Sequence, residues 1–371
     1  MKVLVTGAKG FIGKNLIARL KAKEDIEVYE YDIDTDSSLL GVYCKDCDFV
    51  FNLAGINRPE HEEEFMEGNF GFASTLVDTL KKQGNKCPVM NSSSIQALLE
   101  NPYGISKKAG EDMMFKYGEE NGVDVFIYRF PNVFGKWCRP NYNSAVATFC
   151  YNIANDLPIK VNDRSTLMHL VYIDDVVDEL MQALDMHPHV NTDGYCYVPT
   201  VYEATLGEIV NLLYSFKESR LNKVIPDMTE GSFEKKLYAT YLSYLPSDKF
   251  AYPLDMHIDE RGSFTELFKS ADRGQVSVNI SKPGIAKGNH WHNTKNEKFV
   301  VVSGKALIRF RKHGESEITE YHVSGDKLEV VDIPTGYTHS IINEGDTDLV
   351  TIMWSNECFN PGRPDTIYET V

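Results

Sequence analysis

KVLVTGAKGFIG, residues 2–13, reads as a short apolar run, a glycine-rich turn and the first turn of an amphipathic segment. The run predicts a buried strand. Gly7, Gly10 and Gly13 then allow a tight turn and a close backbone approach, and the helix opened by Phe11 and Ile12 presents its N-terminus to an anion. Further along, IEVYEYD, DFVFNLAG, PVMNSSS and DVFIYRFPNVFG predict strands, while FGFASTLVDTLKKQG and GISKKAGEDMMFKYGEENG predict helices. Such alternation is the pattern of an α/β Rossmann domain, a parallel sheet wrapped by helices. Helical pattern continues over 205–243, so this domain is expected to span 1–243. YLPSDKFAYPL, with two prolines, marks a linker at 244–252. From 253 to 371 the chain is almost all short β runs (QVSVNIS, KFVVVSG, KALIRFR, ITEYHV, LEVVDIP, HSIIN, DLVTIMW) separated by turns, which predicts an all-β jelly-roll barrel.

A chain of 371 residues is long enough for two such cores, and 42% hydrophobic with 25% charged residues is ordinary for a soluble protein. The net charge of −16 argues against a nucleic-acid or anionic-membrane partner. No run of 18 apolar residues suggests a membrane span, and the N-terminus reads as strand and turn instead of a signal peptide. Seven scattered cysteines fit a reduced, cytoplasmic protein. Cys44 and Cys47 form a CxxC without a second pair, so no metal is expected there.

Asn52-Leu53-Ala54-Gly55 ends a predicted strand at the sheet edge where a dinucleotide would lie. Tyr103 and Lys107, four apart on a predicted helix, share a face, and the cation is expected to lower the phenol's pKa towards that of a working proton donor. Ser92, Ser93 and Ser94 end the preceding strand and offer a hydroxyl to the same substrate oxygen. These residues resemble the extended short-chain dehydrogenase/reductase family over roughly residues 1–243. The resemblance implies a Ser94–Tyr103–Lys107 triad, a nicotinamide cofactor, a nucleotide-sugar substrate, and roles for Asn69 and Asn132. It also implies nucleotide contacts at His169, Arg164 and Asp174, although Met168 stands where the family usually has arginine. Asp32 ends the second strand, where a carboxylate takes both ribose hydroxyls of NADH and repels a 2′-phosphate. Lys9 is the cation that answers such a phosphate.

In GNHWHNTKNEKF, residues 288–299, His290 and His292 alternate along a predicted strand and reach one side, and Glu297 adds a carboxylate. Gly284, His290, His292, Glu297 and Gly304, then Pro334, Gly336, His339 and Asn343, resemble the two motifs of the cupin family. The second motif's leading glycine is replaced by Leu328, with Gly325 nearby. The resemblance implies a metal held by His290, His292, Glu297 and His339. Three histidines and a glutamate suit Zn2+, with iron, manganese or nickel as alternatives. Asp259-Glu-Arg261-Gly-Ser-Phe264-Thr-Glu266 resembles a stretch of the dTDP-4-keto-6-deoxyhexose 3,5-epimerases, which implies that Arg261 serves the diphosphate. For the proton-transferring base the candidates are Tyr337, Lys298 and His257.

End to end, SSSIQA, NPYG, FGKWCRPNYNS, RGQVSVNISKPG, GNHWH and SGDKLEVVDIP resemble the bifunctional capsular polysaccharide synthesis enzymes, in which a reductase is fused to a cupin epimerase. That resemblance implies a UDP-linked 4-keto-6-deoxy amino sugar as substrate, NADPH as reductant (against NADH from Asp32), Zn2+, and a homodimer. An alternative reading makes the first domain an NAD-retaining epimerase or dehydratase and the cupin a structural or dimerisation module.

Overall fold

The computed structural model describes residues 1–270 and 272–371. They divide into two compact units: Met1–Tyr214 with Glu230–Pro246, and Ser215–Thr229 with Ser247–Val371.

In the first unit β1 (Lys2–Thr6), β2 (Glu27–Tyr31), β3 (Phe49–Asn52), β4 (Val89–Ser94) and β5 (Val125–Phe130) form an all-parallel sheet in the order β2-β1-β3-β4-β5. The expected Rossmann class is borne out. Period-two alternation assigns the two faces. Val3, Val5, Phe49 and Phe51 pack with Leu16 and Leu20 of α1 (Phe11–Lys21). Leu4, Val50 and Val89 pack with α2 (Ser38–Asp46), α3 (Phe72–Gln83) and α4 (Pro102–Asn121). The sequence patterns did not predict α2, whose Cys44 is a buried core residue. Pro131 divides DVFIYRFPNVFG into two strands, and the second, Asn132–Phe134, joins a separate sheet with Leu167–Tyr172 and Tyr202–Thr205.

Chain direction across the sheet reverses at β1, so the connections leaving β1 and β3 part and open a crevice at their carboxyl ends. There Gly7 has φ +63, and a Cβ on it would lie 2.8 Å from the backbone of Leu53 and Ala54. Only glycine fits this approach.

Beneath α4 lies a buried ionic cluster. Arg129 donates to both oxygens of Glu111 (2.8 and 2.6 Å), Ser93 donates at 2.6 Å and the Tyr195 hydroxyl at 3.0 Å. Glu111 is fully buried.

The second unit is a barrel of two antiparallel sheets, as expected of a cupin-like fold. One sets Val330–Ile333, Glu297–Ser303, Leu349–Ser355, Gly274–Ser281, Gly262–Ser270 and Met256–Asp259 side by side. The other sets out Ile318–Ser324, Lys305–Lys312, Tyr337–Asn343, Ala286–Trp291 and Ile367–Tyr368. Phe299, Val301, Ile308, Phe310 and Ile341 fill an apolar core. On Gly274–Ser281 the alternation is inverted: Gln275, Ser277 and Asn279 are buried and line a cavity, while Val276, Val278 and Ile280 take the opposite face. Residues 215–229, read as part of the first domain, group with this unit because 223–225 extend it: the Ile225 N–H donates to the Lys269 carbonyl and the Lys269 N–H to the Lys223 carbonyl.

Replacing Glu111 with alanine leaves the Arg129 cation without its buried counter-charge. We expect Glu111→Ala to lower stability by about 3–5 kcal/mol, measured by urea unfolding, and Glu111→Gln to lower it less.

Candidate active sites

The first site is assembled at the carboxyl edge of the parallel sheet. Gly10 caps α1 with no side-chain hydrogen bond, so the N–H groups of Phe11, Ile12 and Gly13 open the helix without a capping side chain. That cradle suits a pyrophosphate. The Lys9 N–H and the Ile33 N–H donate to the two oxygens of Asp32 (2.7 and 2.8 Å), and the Lys9 ammonium pairs with Asp34. Lys9 and Asp32 are therefore neighbours at the position expected for the adenosine ribose.

Pro102 starts α4 and the Asn101 side chain caps it, accepting from the Gly104 N–H at 2.8 Å, so NPYG is a helix-start signal that also places Tyr103. One turn later Lys107 is buried, with its ammonium 5.8 Å from the Tyr103 ring centre and donating to the Ser92 carbonyl at 3.3 Å. Asn69 sits in a π-helical turn, Met66–Gly71, accepts from the Ile56 N–H and donates to Ser106 Oγ. A Cβ on Gly55 would meet Asn69 Oδ1 at 2.7 Å and the Lys107 ammonium at 3.0 Å, so the three converge.

The three serines separate by role. Ser93 is committed to Glu111, Ser92 offers its carbonyl to Lys107, and the Ser94 hydroxyl faces Tyr103. One expectation is overturned. Burial raises the Tyr103 phenol, offset only in part by Ser94, and Lys107 does not lower it. Instead Lys107 is the shifted group, lowered to about 8 by burial and partly supported by Glu111 one turn below.

Asn132 and His169 lie on adjacent strands, the Asn132 amide donating to the His169 carbonyl at 3.3 Å, and the His169 ring stands 3.3 Å from Glu203. Arg164 donates to the Gly207 carbonyl and Asn211, and Asp174 pairs with Lys136.

In the second unit His290 faces His339 across paired strands, His292 follows the end of the same strand, and Glu297 begins a strand of the other sheet. Their ligand atoms all lie within 4.8 Å of one another. Glu297 Oε2 stands 3.5 Å from His292 Nε2 and 3.4 Å from His339 Nε2. The His292 Nδ1–H donates to the Asp365 carbonyl at 2.5 Å, which turns the Nε2 lone pair inward. Asp365 itself is anchored by the N–H groups of Asn293, Thr294 and Lys295, a support that sequence spacing could not reveal across seventy-odd residues. His292 Nε2 and Glu297 Oε2, which face each other, are buried without hydrogen-bond partners, a state that fits a bound cation. Burial and the two neighbouring imidazoles lower His290 to about 4. Burial pushes the Glu297 carboxyl up, but the facing imidazoles outweigh it and hold it below its ordinary range. The donor set of three imidazoles and one carboxylate suits a divalent ion.

The cluster forms the floor of a cavity of about 440 Å³. Of the three candidate bases only His257 lines it; Lys298 points outward to Asp332, and Tyr337 packs on the apolar core. Arg261 does not line the cavity and is paired with Asp259 in an exposed hairpin.

Residues 3–193 match the model of the NAD dependent epimerase/dehydratase family. The chain belongs to that family. Residues 257–367 match a polysaccharide biosynthesis C-terminal domain. A Pseudomonas aeruginosa protein named UDP-2-acetamido-2,6-beta-L-arabino-hexul-4-ose reductase is 43% identical over 366 residues, 99% of this chain and 98% of its own. The crystal structure of the capsular polysaccharide assembling protein CapF from Staphylococcus aureus matches 100% of both chains at 56% identity, with a TM-score of 0.94. The chain is thus a full-length homologue of CapF. UDP-glucuronic acid 4-epimerase from Bacillus cereus, in complex with NAD, covers 66% of this chain and 98% of its own at 20% identity with a TM-score of 0.56, a likeness of fold. No helix among the described residues is long and apolar enough to cross a membrane.

Because the folded Lys107 pKa, about 8, lies below its ordinary value of 10.5, the unfolded chain binds more protons between those values. Lys107 burial therefore costs stability below pH 8, and the cost fades as the pH rises from 8 to 10.5. We expect the stability of Lys107→Met relative to the native chain to be highest below pH 8 and to fall across that window, followed by urea unfolding at several pH values.

Proposed function

We propose that the chain is a two-activity nucleotide-sugar enzyme of capsular or O-antigen polysaccharide biosynthesis. In this reading the second unit inverts C3 of UDP-2-acetamido-2,6-dideoxy-β-L-arabino-hexos-4-ulose. The first unit then reduces C4 with NADPH to UDP-2-acetamido-2,6-dideoxy-β-L-talose, a precursor of UDP-N-acetyl-L-fucosamine. The observation that carries it is the likeness to the Pseudomonas aeruginosa reductase along 99% of the chain, covering both sets of site residues.

A reduced nicotinamide bound in the crevice supplies the hydride. Tyr103 gives its proton to the C4 oxygen, Ser94 orients that oxygen, and Lys107 supplies positive charge beside both. Asn69 holds the loop at Ile56 against α4 and so fixes the floor on which these groups sit. For the 2′-phosphate of NADPH the partner is Lys9, which would exchange its ion pair with Asp34 for the phosphate, while Asp32 is occupied by two backbone donors.

In the second unit His290, His292, Glu297 and His339 would hold Zn2+, which would supply a Lewis acid for the keto sugar. The cavity's own residues bind the keto sugar and move a proton at C3. Chemistry sets the order: the ketone makes the C3 proton acidic, and reduction at C4 removes that acidity. Inversion precedes reduction. We extend the reading to a homodimer, supported by the edge strand Met256–Asp259, whose Met256 and Ile258 are exposed.

Two measurements test this. Metal analysis of the purified protein should find about one divalent ion per chain, with His290→Ala losing most of it. With the UDP-linked 4-keto sugar in D2O and no reduced cofactor, proton NMR should show the C3 signal disappearing in the native chain and in Tyr103→Phe, but not in His290→Ala. Adding NADPH should give the C4 alcohol only where Tyr103 is intact. A native chain that never takes deuterium at C3 would leave the second unit without an epimerase role.

A further inference from the structure

The strand Ala286–Trp291 carries a feature beyond its metal-ligating histidines. Residues 287 and 290 are three apart, and on a regular strand they would face opposite sides. They do not. Lys287 pairs with Ile341 and Gly288 with Ser340, and the register then shifts so that His290 pairs with His339. Asn289 is the extra residue of a β-bulge, with φ +57 beside Gly288 at φ +97. Ile341 and His339 are two apart on the partner strand and share one face. The bulge therefore brings Lys287 onto the same inward face as His290, and all four residues line the cavity. A Cβ on Gly288 would lie 2.8 Å from the His339 carbonyl oxygen, so this re-aiming depends on glycine.

Lys287 reaches the cavity as an unneutralised cation. Its ammonium donates to the Asn279 side-chain oxygen at 2.8 Å and to the Ile280 carbonyl at 2.9 Å. Neither acceptor carries charge, and among the described residues no carboxylate forms an ion pair with it. Nearby Asp259 is itself paired with Arg261. Asn279 is buried and donates its own amide to Ser281 Oγ at 3.1 Å, which keeps its oxygen turned to the lysine. Two of the three ammonium protons are thus used, leaving one donor for a ligand. Partial burial lowers the Lys287 pKa, with Asp259 opposing the shift and Arg261 adding to it.

We propose that Lys287 is a catalytic residue of the C3 inversion, donating its remaining hydrogen bond to the C4 oxygen of the keto sugar. The assignment rests on the epimerase reading of the second unit. When the C3–H bond breaks, its proton passes to a solvent-exchanging base, for which His257 is placed in the cavity. The bonding pair forms the C3–C4 double bond and the C4 oxygen takes the negative charge. A proton from cavity water on the opposite face of C3 restores the carbonyl and leaves hydroxide, which the proton held by the base neutralises, with no net oxidation or reduction. A cation set beside that oxygen acts where charge develops, and so speeds the step more than it tightens binding.

The test is the rate of C3 deuterium uptake from D2O by the UDP-linked 4-keto sugar, without NADPH, in the native chain, Lys287→Met and Lys287→Arg, with metal content measured on each. We expect Lys287→Met to lower kcat for exchange by about 100-fold or more with metal content unchanged, and Lys287→Arg to recover at least part of that loss. Exchange in Lys287→Met within about threefold of native overturns the assignment, three-fold being far short of a lost oxyanion donor. So does a raised KM with kcat unchanged, which would put the lysine on the diphosphate half. Loss of metal from both variants would make Lys287 a support of the ligand set and likewise overturn it. If the native chain itself shows no exchange, the epimerase reading falls first and the assignment falls with it.

Discussion

Glu111 in the parallel sheet domain and Glu297 in the barrel are, with Glu179, the carboxylates among the described residues that lose nearly all contact with water on folding. A buried charge is tolerated only with partners, and the surroundings of each are set by that requirement. Around Glu111 the partners are complete: a bidentate arginine, a serine and a tyrosine. Around Glu297 they are not, since Oε2 faces two imidazole nitrogens at 3.5 and 3.4 Å without a hydrogen bond to either. A closed set of partners marks a structural group, and an open one marks a site that something else completes.

The same principle organises the chemistry around each of them. Glu111 lies one helical turn beyond Lys107 and supports its charge, while burial works against it. Lys107 is thereby left close to the pH range in which it titrates, beside a phenol that burial keeps protonated. In the barrel, polar Gln275, Ser277 and Asn279 occupy the inward positions of a strand whose valines turn the other way. That inversion converts half of a β core into a cavity with bound donors and acceptors. The apolar half, with Phe299 and Ile308 among its members, keeps the two sheets together.

In the proposed reaction sequence the two sites act on neighbouring carbons, and the ketone consumed by the second step is what makes the first possible. Neither step needs the two units to share an active site. Each unit carries its own candidate side chains, and each builds its own core.

Much of this was legible in the chain before folding. The glycine turn at Gly7–Gly13, the four-residue spacing of Tyr103 and Lys107, and His290 with His292 followed by Glu297 are local patterns, and local geometry is set by neighbours a few residues apart. They were enough for the fold class and for naming the candidate residues of both sites. What remained undecided depends on contacts between residues far apart in sequence. Resemblance names Ser94 among the three serines, but that Ser93 is committed to Glu111 shows only in the fold. The lowered pKa of Lys107, and the raised one of Tyr103, follow from burial that no spacing reports. Residues 215–229 join the barrel through backbone bonds to Lys269, more than forty residues ahead in the chain. Lys287 reaches the cavity because one residue bulges from its strand, and period-two reading places it on the wrong side. Patterns of adjacent residues can name the groups that do chemistry; their protonation, their partners and the faces they share come from packing.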